Sequence, residues 1–196
     1  MLLDKNAPQK LSPQETSVSE ELNFACDSNL LRRRRVNKRV LKKLEVKVCD
    51  NILTQTLNAP IIPFVGFGNI KLYATRQELK ELLSLDGVES VVINSNWIRY
   101  DIQNAIELFF HLGNDKLFRI TTLDNYKGSL FGQIKVGSTK DEMLEIEPSF
   151  VYNDFEEVWE SEKGAFIEMD AKTDTVRWIS VFIPELDSEE FENCKW

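Results

Sequence analysis

A twelve-residue pattern in the middle of the chain occurs twice. Gly68-Asn69-Ile70-Lys71-Leu72-Tyr73-Ala74-Thr75-Arg76-Gln77-Glu78-Leu79 returns without a gap as Gly132-Gln133-Ile134-Lys135-Val136-Gly137-Ser138-Thr139-Lys140-Asp141-Glu142-Met143, 64 residues further on. Self-similarity at a fixed spacing constrains the architecture more than any local signal, because it demands two like units that bury their apolar faces together. Each copy reads as a glycine turn, a short apolar strand and then Thr-x-x-Glu. In that last pattern the threonine hydroxyl accepts a backbone N–H at a helix start, and the glutamate reaches back to the threonine's own amide. Thr75 and Thr139 are therefore expected to be helix N-caps, each contributing about 1 kcal/mol.

The first unit, residues 61–123, follows its capped helix with Leu79, Leu82 and Leu83, an i, i+3, i+4 apolar face, and Asp86-Gly87 ends it. Strand patterns come next at 88–93, 97–102, 105–112 and 117–123, separated by Asn94-Ser95-Asn96 and Gly113-Asn114-Asp115 turns. The second unit, residues 124–186, repeats that order with strands expected at 150–153, 156–160, 165–170 and 176–183, and Pro148 is expected to shorten its helix. Asp115-Lys116-Leu117-Phe118-Arg119-Ile120 aligns with Asp174-Thr175-Val176-Arg177-Trp178-Ile179, an offset of 59, so about five residues have gone from inside the second copy. The fold expected is α+β: two tandem helix-plus-antiparallel-meander repeats making one curved sheet with helices on one face, preceded by a basic helical segment.

Charge divides the chain. Residues 1–60 carry eleven Lys/Arg against seven Asp/Glu, whereas the net charge of all 196 residues is −8, so the body is strongly acidic. Residues 1–28 are too polar for a packed element and read as a mobile arm. Residues 29–60 read as a basic helix, capped by Asp27 or Ser28 and striped by Val36, Val40 and Leu44, and then a linker ending at Asn58-Ala59-Pro60. Residues 187–196 read as a solvated acidic tail. No apolar run reaches the length of a membrane span, and nothing at the N-terminus resembles a secretion signal, which together point to the cytoplasm. Cys26, Cys49 and Cys194 lie far apart, without C-x-x-C or a neighbouring histidine, and read as reduced thiols, with a Cys26–Cys49 disulfide as the alternative.

The string Gly-x-Ile-x-Val-Gly-Ser-Thr-x-x-Glu-Met at 132–143 resembles the signature that opens the small helix-plus-meander domains of the outer-membrane assembly lipoprotein family. The same unit doubled in tandem forms the β-lactamase-inhibitor proteins. The resemblance covers residues 61–186 and implies a continuous curved sheet, helices behind it, and a concave face that grips another protein. It implies no catalytic residue, cofactor or metal, because those domains are binding modules. The first copy departs from the pattern at Tyr73, where the second has Gly137.

The residues themselves offer little for catalysis. His111 is the single histidine and reads as structural, beside Phe109 and Phe110. Gly66-Phe67-Gly68 lacks the further glycine and lysine of a phosphate loop. An acidic hairpin in the second unit is more telling: Tyr152, Asp154, Phe155, Glu156, Glu157, Trp159 and Glu160 interleave aromatic and acidic side chains. Strand alternation would put Phe155, Glu157 and Trp159 on one face and Glu156 and Glu160 on the other. Aromatic anchors ringed by carboxylates fit an interface for a basic protein. The function expected is a non-catalytic module that occludes a basic partner, such as an immunity protein blocking a nuclease toxin. Trp97, Tyr100 and Trp178 read as packing. The alternative is a nucleic-acid-associated protein acting through Arg32, Arg33, Arg34, Arg35, Lys38 and Arg39, or that basic face is simply solvated or docked on the acidic body.

Overall fold

The structure is a computed structural model and describes residues 53–196. The expected arm, the basic helix with its arginines, Cys26 and Cys49 lie outside the described residues. Residues 53–57 are helical, directly before the Asn58-Ala59-Pro60 break.

Three two-residue strands, β1 (Ile61–Ile62), β2 (Gly66–Phe67) and β3 (Ile70–Lys71), form a small antiparallel sheet in that order. Its tightness requires glycine at position 66. Gly66 has φ 130°, and a Cβ there would lie 2.1 Å from the Ile70 carbonyl oxygen. This small sheet adds to the single turn-and-strand expected of the first copy.

The main body is an eight-stranded antiparallel sheet. Its strands are β4 (Val88–Val92), β5 (Trp97–Ile102), β6 (Ile106–His111), β7 (Lys116–Thr122), β8 (Val151–Asn153), β9 (Val158–Ser161), β10 (Ala165–Asp170) and β11 (Thr175–Phe182), in the spatial order β4-β5-β6-β7-β11-β10-β9-β8. Two meanders thus meet at their last strands. The register at that seam pairs Thr121 with Ser180, residues matched by the offset of 59 found in the sequence. Other features obey the same two offsets. Tyr73 and Gly137 donate to the carbonyls of Leu117 and Val176 at 2.8 and 2.7 Å. Register shifts fall between Phe109 and Phe110 in one meander and between Glu168 and Met169 in the other.

The fold is mostly β, built on the antiparallel sheet expected from the sequence. Helices in the described residues are short: α1 (Lys80–Leu83), α2 (Lys140–Ile146) and α3 (Glu189–Glu192), with a 3₁₀ turn at Pro184–Asp187. Both threonines form the expected capping box. Thr139 Oγ1 accepts from the Glu142 N–H at 3.2 Å while the Thr139 N–H donates to Glu142 at 2.9 Å, and Thr75 and Glu78 do the same at 3.2 and 2.7 Å. In the first copy, however, residues 76–79 are a turn and α-helix begins only at Lys80. The second helix is therefore the longer of the two, opposite to the expectation from Pro148, which stops α2 only after its seven residues.

Because side chains alternate across a strand, register tells which residues share a face. Ser90, Tyr100, Leu108, Ile120, Val181, Ala165 and Ser161 form one row across seven strands, and from Leu108 to Ser161 that row is buried. This side packs on Phe67, Ile70, Leu130, Ile134 and Met143, from the small sheet, α2 and the segment before it. The opposite row runs Glu89, Asp101, Glu107, Thr121, Ser180, Phe166, Glu160 and Val151 across all eight strands. Polar and charged positions dominate it, so the sequence leaves that face without a second apolar layer.

The C-terminus also departs from expectation. The tail does not stay in solvent: Phe191 is 2% exposed and packs on Trp97 and Phe118, with ring centroids 6.1 and 5.1 Å away. Trp196 stacks on Phe191 at 5.5 Å, and its carbonyl accepts from Lys116 Nζ at 2.6 Å. Carboxylates alone would favour solvent, but the buried area of two aromatic rings outweighs them.

Candidate binding groove

The polar face of the main sheet is not flat. The register shift in β7 turns two consecutive residues, Phe118 and Arg119, toward it, where Phe118 lies 5.2 Å from Trp97 and 6.2 Å from Phe109. With the C-terminal segment along one side and the β8–β9 loop along another, this leaves a groove of about 590 Å³. Trp97, Phe118, Phe166 and Trp178 line it from the strands, and Phe155 lines it from the loop. Carboxylates line it too: Glu156, Glu160, Glu168, Asp187 and Glu192.

Asn153 shapes the loop wall. Its Oδ1 accepts the Phe155 and Glu156 N–H groups at 2.9 and 3.2 Å, and its Nδ2 donates to Glu160 at 2.7 Å. This Asx turn, closed by Glu157 at φ 57°, uses residues 154–157 as a turn rather than as strand. The expected strand alternation of Phe155, Glu157 and Trp159 is thereby corrected. Phe155 projects 90% exposed at the groove mouth. Tyr152 and Trp159 pair across β8 and β9 with rings 5.4 Å apart. By register they belong to the core side of the sheet, while Glu160 faces the groove. Of the seven residues singled out in the sequence, Phe155, Glu156 and Glu160 line the groove; Asp154 and Glu157 are exposed in the adjoining turn.

The same sheet face holds a charge cluster that the sequence did not reveal, and its Arg119 reaches the groove. Arg99 pairs with Asp101 at 3.0 Å and with Glu107 at 3.2 Å. Burial raises the Glu107 carboxyl above its usual range, with Arg99 opposing. Arg119 lies with its guanidinium carbon 3.9 Å from the centre of the Phe109 ring, and burial lowers its pKa from the ordinary value. Asn153, Phe166, Glu168, Trp178, Asp187 and Glu192 were likewise missed. The alternation Phe166-x-Glu168 was the available signal, but which face of β10 is buried is a tertiary fact.

His111 and Cys194, which do not line the groove, come together beside Phe191, with Sγ 3.4 Å from Nδ1. Nδ1 already accepts the Gly113 N–H at 3.0 Å, and burial lowers the imidazole's pKa. At the matching position of the second meander, Asp170 accepts the Lys172 N–H at 2.9 Å. A carboxylate does the same backbone task there, which is a structural role for the ring. Among the described residues, no group of three or more His, Cys, Asp or Glu is arranged to hold a metal ion, and no helix is long and apolar enough to cross a membrane. A second concavity beside α2, between Gln133, Ser138, Glu142, Glu145 and Ile146, has no aromatic wall.

Fold and groove together define a mostly β protein with an acidic, aromatic recess on one face of an eight-stranded antiparallel sheet. No protein-family model matches the chain, and no curated protein matches it in sequence. Among solved structures it is similar to a cysteine-rich secretory protein (SAV1118) from Staphylococcus aureus, at 11% identity and a TM-score of 0.44, over 66% of this chain and 50% of that one. The chain thus spans about half the length of that protein, and its function has to be argued from the groove.

Proposed function

We propose that the chain is a non-catalytic binding module that occludes a basic protein partner through this groove. The observation that carries the reading is Phe155, an aromatic side chain held 90% exposed at the mouth of a recess walled by carboxylates and further aromatic rings. Holding a bare phenyl ring in water is unfavourable by roughly 2 kcal/mol relative to burying it, so a rigid turn that does so is explained by a partner that covers it. The carboxylates then speed and select association with a cationic surface, and the aromatic anchors slow dissociation. In this reading the two meanders are tandem copies of one unit, as in the inhibitor proteins the sequence resembles. The partner class is a nuclease toxin, whose active site is basic because it holds phosphates, and the chain is its cytoplasmic immunity protein.

The test is affinity capture from the native host at low and high salt, with each captured protein identified and its nuclease activity assayed against stoichiometric chain. A basic nuclease should be captured, inhibited, and lost with Phe155→Ala or Glu156→Lys. Capture of no basic protein, or capture indifferent to salt and to both substitutions, would sink the proposal.

A further inference from the structure

The groove floor contains a guanidinium with one buried donor unfilled. Arg119 has its Nε shut off from solvent and without a hydrogen-bond partner; Glu107 and Glu156 attract its charge without a direct ion pair, and the Phe109 ring beneath it attracts the charge but accepts no N–H in place of an oxygen. A buried unpaired donor on a guanidinium is costly enough to need an explanation. Nearby carboxylates are engaged elsewhere. Glu107 is held by Arg99 at 3.2 Å, Glu160 by Asn153 at 2.7 Å and Glu168 by Arg177 at 2.7 Å. On the groove walls Glu156, Asp187 and Glu192 make no direct ion pair among the described residues, although Glu156 attracts Arg119 and Glu192 attracts His111 at longer range. The recess therefore offers one unfilled donor at its floor and three unfilled carboxylates around it.

A planar guanidinium matches a carboxylate better than any other acceptor, through two parallel N–H···O bonds. Lysines or arginines on either side of that carboxylate would meet the three wall residues. We propose that the segment a partner inserts here is a basic stretch with a single carboxylate at its tip, the carboxylate taking Arg119 and the flanking cations taking Glu156, Asp187 and Glu192. This rests on the groove being the binding face. It adds that the partner is recognised by charge pattern, and not by positive charge alone.

The full chain, labelled at its indole nitrogens, can be titrated with a short peptide in which arginines flank one aspartate, and with the same peptide carrying asparagine instead. Trp178, in the groove, should shift while Trp159, on the core side, stays still. The aspartate peptide should bind about tenfold more tightly, the effect of one charge-assisted pair, and Arg119→Met should erase that preference while both peptides still bind. Arg119→Lys, which keeps the charge but not the fork, should reduce it and serves if the methionine variant does not fold. Equal binding of the two peptides with Trp178 shifting leaves the groove standing and overturns this inference. A preference that survives Arg119→Met also overturns it, because the carboxylate then sits elsewhere. No shift of Trp178 with either peptide overturns both.

Discussion

Tyr73 sits at φ 67°, in the left-handed region, where the matching Gly137 sits at φ 91°. Glycine adopts that conformation freely and tyrosine does not. The tyrosine is held there by its surroundings: its hydroxyl donates to Glu185 at 2.7 Å, its ring lies 6.1 Å from Trp196, and burial with the neighbouring carboxylate pushes its pKa well up. This difference between the two copies falls where the C-terminal segment docks. The capping threonines show the converse, identical local chemistry with unequal consequences. Thr139→Ala should cost about 1 kcal/mol in urea denaturation, since α2 begins directly at the cap. Thr75→Ala should cost distinctly less, because its capping box closes a turn that precedes α1 by several residues. Equal losses would mean that the two helices are equivalent after all.

Among the elements, the C-terminal segment changes the reading of the sequence most. Five acidic residues from Glu185 onward obscured a helix whose Phe191 lines one side of the groove and carries the stacked Trp196 ring. Ser188 caps it at 3.3 Å, a signal that could have been read from Ser-x-x-Phe only with the docking site in view. His111 couples this element to pH. Phe191 and Trp196 pack edge-on against the ring at 5.5 and 6.1 Å, Cys194 Sγ sits beside it, and Glu192 is the charge that opposes its lowered pKa. Because the folded pKa lies below the ordinary 6.5, the unfolded chain takes up the proton first. The contribution to stability is therefore full above pH 6.5 and falls as pH drops through that value and below. The Trp196 indole signal should broaden or shift as pH is lowered through this window. His111→Asn, which can still accept the Gly113 N–H, should remove the pH dependence. A Trp196 signal that titrates identically in the variant would show that another group is responsible.

At the scale of the whole molecule, the two meanders are joined along a short seam. Only three residue pairs register β7 against β11. Two buried hydroxyls face one another there, Thr121 Oγ1 to Ser180 Oγ at 2.6 Å, and Thr122 Oγ1 accepts the Ile179 N–H at 2.8 Å. Thr121→Val alone strands the Ser180 hydroxyl and should destabilise by about 2 kcal/mol. The double change Thr121→Val with Ser180→Ala should recover about half of that, because no buried group is then left unpaired. Additive losses in a double-mutant cycle would show that the hydroxyls do not act as a pair.

Local chemistry determined both capping boxes and the strands of the main sheet, of which 97–102 and 165–170 have the bounds read from the sequence and the others lie within a few residues of them. These depend on neighbours a few positions away, through alternation, turn residues and hydroxyl-to-amide bonds, and such information is written along the chain. The tertiary structure alone decided which side of the sheet faces the core, that the acidic tail docks, and that Arg119 and Phe155 share one recess. Each depends on pairings between distant strands, where a shift of a single residue in register moves every side chain to the opposite face.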